Sequence, residues 1–169
     1  MLLKEEFFVK IAIVYYSKSG NTKKVADLIA EGANTIENIE AKCMSIEEID
    51  TEFLMEAKTA IFGSPTITGT YSWQMKQWLD TTREIKFGGK LGAVFATANF
   101  VGGGAEVAEL AMIAELLVKG MLVYSSGAAE GQPFIHYGPV CIQAGDEGQK
   151  ERATIFGERI AKKTVELFK

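Results

Sequence analysis

The segment Ser17-Lys18-Ser19-Gly20-Asn21-Thr22 places three hydroxyls, an amide side chain and a glycine just ahead of a stretch with helical periodicity. A loop of this kind, entering a helix near Thr22, gathers side-chain donors and unpaired N–H groups at one point, which suits a phosphate. An ordinary capped turn is the competing reading, since Asn21 or Thr22 alone serves as a helix cap. Lys23 and Lys24 fall in the first turn, where positive charge opposes the helix dipole by roughly 0.3–1 kcal/mol each unless an anion is near. Lysines that point into water escape most of that conflict. The patterns G-x-x-x-x-G-K-[ST] and G-x-G-x-x-G are both absent at this loop, which excludes a P-loop and the dinucleotide turn. No cysteine or aspartate ends the preceding apolar run Ile11 to Tyr16, so a cysteine-dependent phosphatase and a phospho-acceptor receiver are excluded too. What is left is a loop that holds a phosphate without doing chemistry on it.

Two further loops carry unusual residues. Gly63-Ser64-Pro65-Thr66-Ile67-Thr68-Gly69 precedes a helix bearing Tyr71, Met75, Trp78 and Leu79. Pro65 keeps Ser64 extended and Gly69 opens backbone conformations closed to other residues, so this loop can present main-chain groups edge-on to a planar ring. Thr97-Ala98-Asn99-Phe100-Val101 runs into Gly102, Gly103 and Gly104, and three glycines in a row let backbone approach a ligand closely. Phe100 is positioned either to cover a flat ring or to act as a hydrophobic wedge. His136, the only histidine, reads as a contact to the edge of such a ring or to substrate, or as a loop histidine bonded to backbone. With no second His or Cys near it, no metal is expected.

The elements that must position these loops follow from the apolar pattern. Ile11 to Tyr16, Ala60 to Phe62, Leu91 to Ala96 and Met121 to Tyr124 are short continuous apolar runs, with a weaker strand at Ala41 to Ile46. Runs that do not alternate are strands covered on both faces, as in a parallel sheet between helices. Helical spacing lies between them: Val25, Leu28 and Ile29; then Ala105 to Lys119, stopped by Gly120; then about Gln149 to Phe168. The expectation is an α/β domain spanning 1–169, a doubly wound five-stranded parallel sheet, for which the order 2-1-3-4-5 is one of the two common solutions and the one expected here. Ligands of such sheets sit at the carboxyl ends of the strands, which is where all three loops fall. Ser125 to Gly138 reads as an insertion that splits the last strand, which resumes at Pro139 to Ala144. Together, a phosphate cup and two glycine-bearing walls on one sheet edge describe a mononucleotide site with a flat head group.

Composition bounds the rest. A chain of 169 residues, 47% hydrophobic and 24% charged, has the balance of one globular domain. Its 18 basic and 22 acidic residues give −4, which argues against nucleic acid and is mild for an acidic docking surface. Cys43 and Cys141 cannot form a framework of bridges, and reduced, cytoplasmic thiols are expected. Met1 to Lys10 carries Glu5 and Glu6 before a short apolar stretch, unlike a signal peptide, and no apolar run approaches the ~20 residues of a membrane span.

At these residues the chain resembles the flavodoxin-like FMN proteins. Ser17 to Thr22 is similar to that family's phosphate loop, [ST]-x-[ST]-G-N-T. Gly63-Ser64-Pro65-Thr66, then Gly69, Ser72, Gln74-Met75 and Leu79-Asp80, resembles the WrbA-type NAD(P)H:quinone oxidoreductase branch, as do Gly102-Gly103-Gly104 with Glu106 and the later Gly145-Asp146. The resemblance implies noncovalent FMN bound by Ser17, Lys18, Ser19, Gly20, Asn21 and Thr22 at the phosphate, and by Pro65, Thr66, Ile67, Thr68, Gly69, Thr97, Ala98, Asn99, Phe100, Gly102 and Gly103 around the ring. It implies no catalytic side chain, because hydride can reach and leave the flavin directly. The branch carries a histidine pair before the glycine that ends the fourth-strand helix; here those positions hold Val118 and Lys119. The insertion is also shorter than the one that helps build that branch's tetramer. The leading expectation is electron transfer from NAD(P)H to a quinone-like acceptor, with a flavodoxin shuttling single electrons between redox partner proteins as the alternative. A homodimer or homotetramer is the expected assembly if the insertion is apolar and exposed.

Overall fold

A computed structural model describes residues 8–169, so Met1 to Phe7, on which most of the N-terminal reading rests, lies outside the described residues. The element order is β1 (Val9–Tyr15), α1 (Asn21–Ala33), β2 (Ile39–Ser45), α2 (Thr51–Glu56), β3 (Thr59–Ile67), β4 (Thr70–Tyr71), α3 (Trp73–Thr81), β5 (Leu91–Ala98), α4 (Ala105–Val118), β6 (Leu122–Val123), β7 (Val140–Ile142) and α5 (Glu147–Phe168). The sheet runs β2-β1-β3-β5-β6, with β7 also paired to β5. These pairings are all parallel. β6 and β7 lie along the same edge of β5, at Leu91–Gly92 and Ala96–Ala98 respectively. Counted as two halves of one split strand, they give the expected order 2-1-3-4-5.

The continuous apolar runs are explained by two cores, one on each face of the sheet. Ile11, Ile13 and Tyr15 of β1 pack with α1 and α5 through Val25, Ile29, Phe156 and Ile160. Ala12 and Val14, pointing the other way, pack with Leu54, Met75, Leu79 and Met112 on the α2, α3 and α4 side. Each fully buried Leu, Ile or Phe contributes about 1.5–3 kcal/mol relative to exposure, so a strand with both faces covered has no room for polar alternation. Behind the sheet α1 and α5 touch backbone to backbone. A Cβ on Gly32 would lie 1.9 Å from Thr154 O, and one on Gly157 would lie 2.0 Å from Ile29 O. Larger residues at either glycine would push the helices apart and open the core beneath them.

Two local expectations need correcting. Gly63 to Gly69 is not a loop throughout: β3 continues to Ile67 and returns antiparallel as β4, Thr66 facing Tyr71 and Ile67 facing Thr70. Thr68 (φ 50) and Gly69 (φ 80) both take positive φ, the requirement of a two-residue hairpin turn whose twist matches its strands. Tyr71 therefore belongs to β4, and the helix begins at Trp73 with Ser72 as its cap, the Ser72 hydroxyl accepting from Met75 N–H at 3.3 Å. The short α2 carries too few turns for its period to show in sequence. It starts at Asp50, whose carboxylate accepts from Phe53 N–H at 3.0 Å.

Candidate functional site

At the carboxyl ends of β1, β3 and β5 the three loops meet around a cleft of about 230 Å³, walled by Lys18, Ser19, Asn21, Thr22, Pro65, Thr66, Ile67, Thr97, Ala98, Asn99 and Gln143. Parallel pairing brings them together: Pro65 lies in register with Thr97, and Tyr15 with Gly63. Ten of the residues expected from sequence line this cleft. Gln143 is the one sequence reasoning missed. It stands just past β7 with φ 54 and donates its N–H to Ala98 O at 2.7 Å. The end of the split fifth strand is also a carboxyl end of the sheet, and that rule would have found it.

The first loop resolves the choice between a capped turn and an open one. Gly20 is the N-cap of α1 in the left-handed region at φ 89, and it caps with no side chain. Neither Asn21 nor Thr22 caps the helix. Thr22 Oγ1 instead sits 2.8 Å from Thr97 Oγ1, both residues buried, tying the helix start to the end of β5. Among the described residues the loop's backbone donors are engaged only from Lys23, whose N–H reaches Ser17 Oγ at 3.2 Å, and Lys24, whose N–H reaches Gly20 O at 3.1 Å. The N–H groups ahead of them are the orphan donors of a helix start, facing a cleft with the Ser19 hydroxyl beside them. Lys23 pairs with Asp27 at 2.7 Å one turn on, so its charge is met inside the helix and is no signal of a bound anion.

The other walls are built from the hairpin and the glycine loop. Gly104 caps α4 at φ 94, and a Cβ there would come within 2.9 Å of Gly69 Cα and Gly69 O. One of the three glycines thus serves the packing of two walls against each other rather than the approach of a ligand. Gly102, at φ 78, makes the turn, and Gly103 donates its N–H to Phe100 O at 3.2 Å. Phe100 is 64% exposed, which rules out the hydrophobic-wedge reading and leaves an apolar side chain at the rim with Val101 and Ile67. Thr68 and Gly69 form the hairpin tip, and Thr68 faces a second, larger groove rather than the cleft.

Several polar groups bear on what the cleft can hold. Thr66 Oγ1 is buried with no partner inside the protein, an arrangement that costs about 1–3 kcal/mol unless something supplies a bond. Orphan N–H groups, hydroxyls and an orphan threonine at one end, with apolar Ile67 and Phe100 at the rim, fit a phosphorylated cofactor with a flat apolar head. FMN satisfies that description. Outside the cleft, His136 is exposed on the insertion, where its carbonyl accepts from Ser125 Oγ at 2.8 Å. Trp73 is exposed, while Trp78 packs with Phe62 and Phe87. The insertion itself is fastened by Arg159, which donates to the carbonyls of Glu130, Gly131, Gln132 and Pro133 at 2.9–3.4 Å.

Comparison with known proteins agrees with this geometry. The flavodoxin family model matches residues 13–134. A flavodoxin of Clostridium saccharobutylicum is 48% identical over 160 residues, covering 95% of this chain and all of that one. An NAD(P)H dehydrogenase (quinone) of Archaeoglobus fulgidus is 29% identical, covering 94% of this chain and 98% of that one. Among solved structures, a WrbA-like flavodoxin from Agrobacterium tumefaciens superposes with a TM-score of 0.75 at 24% identity, over 94% of this chain and 98% of its own. Cleft, topology and sequence converge on one result: the chain belongs to the flavodoxin family of FMN redox proteins and is related to its WrbA-type, quinone-reducing branch.

Proposed function

We propose that this protein is a cytoplasmic electron carrier that takes electrons from one redox protein and passes them to another through FMN held in the cleft. The observation that carries this reading over quinone reduction is the end of α4. Val118 there is 88% exposed and Lys119 Nζ donates to Leu79 O at 2.7 Å, so no imidazole stands where the quinone-reducing branch is expected to place its histidine pair. A close flavodoxin relative over its whole length supports the same choice.

When bound, FMN supplies reversible one- and two-electron redox chemistry. The chain's own residues do the rest. The free N–H groups from Lys18 to Thr22, with the hydroxyls of Ser17 and Ser19, hold the phosphate by charge-assisted hydrogen bonds at a helix start. Thr66 gains the partner it lacks. Pro65 to Ile67 and Thr97 to Asn99 would bracket the ring, and Phe100, Val101 and Ile67 would form an apolar rim that excludes water where a partner docks. No side chain need give or take a proton. Cys43 and Cys141 are free, and burial pushes their thiols up to about 12 and about 11, so they stay inert in a reducing compartment.

Reduction of a quinone-like acceptor by NAD(P)H is the second reading, favoured by the Archaeoglobus relative and by the Gly102 to Glu106 stretch. Anaerobic stopped-flow absorbance of the FMN-loaded protein separates the two. For a carrier, NADPH and NADH leave the flavin band unchanged, while titration with dithionite resolves two one-electron midpoints. Rapid bleaching by NAD(P)H, reversed by benzoquinone, would overturn the carrier reading and establish the enzyme. The phosphate assignment has its own check. Two charge-assisted bonds at about 1.5 kcal/mol each make FMN bind at least ~100-fold tighter than riboflavin, and equal affinities would refute it.

A further inference from the structure

We propose that a pocket between α4, α5 and the insertion binds a small zwitterion of amino-acid size, its ammonium held by Glu106 and Glu109 and its carboxylate by Arg152. The pocket holds about 210 Å³ and shares no wall residue with the FMN cleft, so the inference is independent of what the cleft binds. Its walls carry opposite charge. Glu106 and Glu109 lie three residues apart on α4 and therefore on one face of that helix. Arg152 lines the pocket from α5, and Phe134, Ile135 and Tyr137 of the insertion supply its apolar and aromatic part.

What points to a ligand is that the buried groups of both signs are left unpaired. Glu109 is 1% exposed and its Oε1 has no hydrogen-bond partner, while Arg152 Nε is buried and likewise without one. Opposite charges that share a pocket ordinarily pair, because an unmet buried charge is costly. The ion pairs among the described residues include neither of these two side chains. The insertion presses on the carboxyl without satisfying it: a Cβ on Gly138 would lie 2.7 Å from Glu109 Oε1 and 2.0 Å from Val94 O.

A ligand of single charge leaves this arrangement unmet. A lone amine abandons Arg152, and a lone carboxylate bonded to Arg152 stands against two acidic side chains. A zwitterion meets both walls and lays its apolar side chain on Phe134 and Ile135. Binding is also tied to a proton. Burial, reinforced by Glu106, pushes the Glu109 carboxyl up to about 9, so near neutral pH an arriving ammonium displaces the proton of the carboxyl it pairs with. The other polar side chains lining the pocket with Glu109 are His136 and Tyr137 on the insertion and Arg152 on α5.

Calorimetric titration of the full, FMN-loaded chain with L-valine tests this, beside two probes that each keep one of its charges, isovalerate and isobutylamine. L-Valine is expected to bind with a Kd below about 1 mM and at least ~10-fold more tightly than either probe. It should release about one proton at pH 7 and gain about tenfold in affinity per pH unit between pH 6 and 8. Glu109→Gln should abolish that pH dependence and, like Arg152→Gln, weaken L-valine at least ~10-fold. FMN affinity should stay native in both variants, which reports that they fold. Absence of L-valine binding overturns the proposal and leaves the pocket to ordered water. Isovalerate or isobutylamine binding as tightly as L-valine overturns it in favour of a simple anion or cation site, and so does an L-valine affinity unchanged in either variant.

Discussion

Replacing Thr97 by Val removes one half of the hydroxyl pair that joins α1 to the end of β5. The two oxygens are 2.8 Å apart, and Thr22 and Thr97 are only 1% and 3% exposed. Val preserves the shape, so the change is confined to hydrogen bonding. The bond itself is worth about 1 kcal/mol net, and the Thr22 hydroxyl left behind suffers a desolvation cost of about 1–3 kcal/mol. A loss of about 2 kcal/mol is expected, or roughly 4–8 °C in thermal midpoint for a chain of this length. Thr22→Val alone should cost about the same. The double variant removes both polar groups together and should return to within about 1 kcal/mol of the native protein, because no orphan remains. Urea unfolding of the four apo proteins gives the cycle directly, with a coupling of at least about 1 kcal/mol between the sites. Additive losses, with the double variant equal to the sum of the singles within about 0.5 kcal/mol, would refute the claim that these hydroxyls satisfy each other. FMN titration of the same variants adds a second reading: weaker binding in each single variant follows if the pair holds the phosphate loop in register with the β5 loop.

Three other perturbations address the remaining features. Glu109 is 1% exposed with Oε1 unpartnered, and burial, reinforced by the nearby Glu106, pushes its carboxyl up to about 9. From the ordinary carboxylate range up to about pH 9 the unfolded chain gives up this proton while the folded chain keeps it, so stability falls as pH rises, by at most about 1.4 kcal/mol per pH unit. Glu109→Gln should flatten that decline in urea midpoints measured between pH 5.5 and 8.5, and an unchanged slope would disprove the assignment. Gly104→Ala should destabilise more than Gly20→Ala: both residues have positive φ, a strain of roughly 1–2 kcal/mol, but only Gly104 would meet backbone, at 2.9 Å, while Gly20 faces open space. Equal shifts in thermal midpoint would show that the hairpin contact carries no weight. Arg159→Ala removes the fork that holds four carbonyls of the insertion, so limited proteolysis should cut within 125–138 faster while the global midpoint moves little. An unaltered cleavage rate would mean that buried Ile135 suffices to anchor the segment.

Local chemistry made much of this protein legible from its residues. Ile11 to Tyr16 and Leu91 to Ala96 read as doubly covered strands because burial on both faces leaves no polar alternation. Ser17 to Thr22 read as a loop suited to a phosphate, with a capped turn as the rival, and the structure decides only that Gly20 begins the helix with no side-chain cap. Gly120 read as a helix end, and it takes φ 79 just past α4. The handedness of the crossovers, a property of every L-amino-acid chain, narrowed the strand order to two common solutions, and the structure takes the 2-1-3-4-5 one. What the sequence could not fix were contacts between residues far apart along it. Whether Thr22 caps its own helix or reaches Thr97 is a choice between a local bond and one spanning 75 residues, and only the parallel register of β1, β3 and β5 decides it. Gly104 reads as freedom to approach a ligand until the hairpin tip at Gly69 is seen to fill that space. Gln143 carries no motif, and enters the cleft only because the split fifth strand resumes beside β5. The apolar character of α4 is plain in sequence, yet which side stays uncovered depends on how the helix lies against the sheet. Propensity and patterning act over a few residues and are written in the chain; burial and satisfaction of polar groups depend on neighbours that tertiary packing alone supplies.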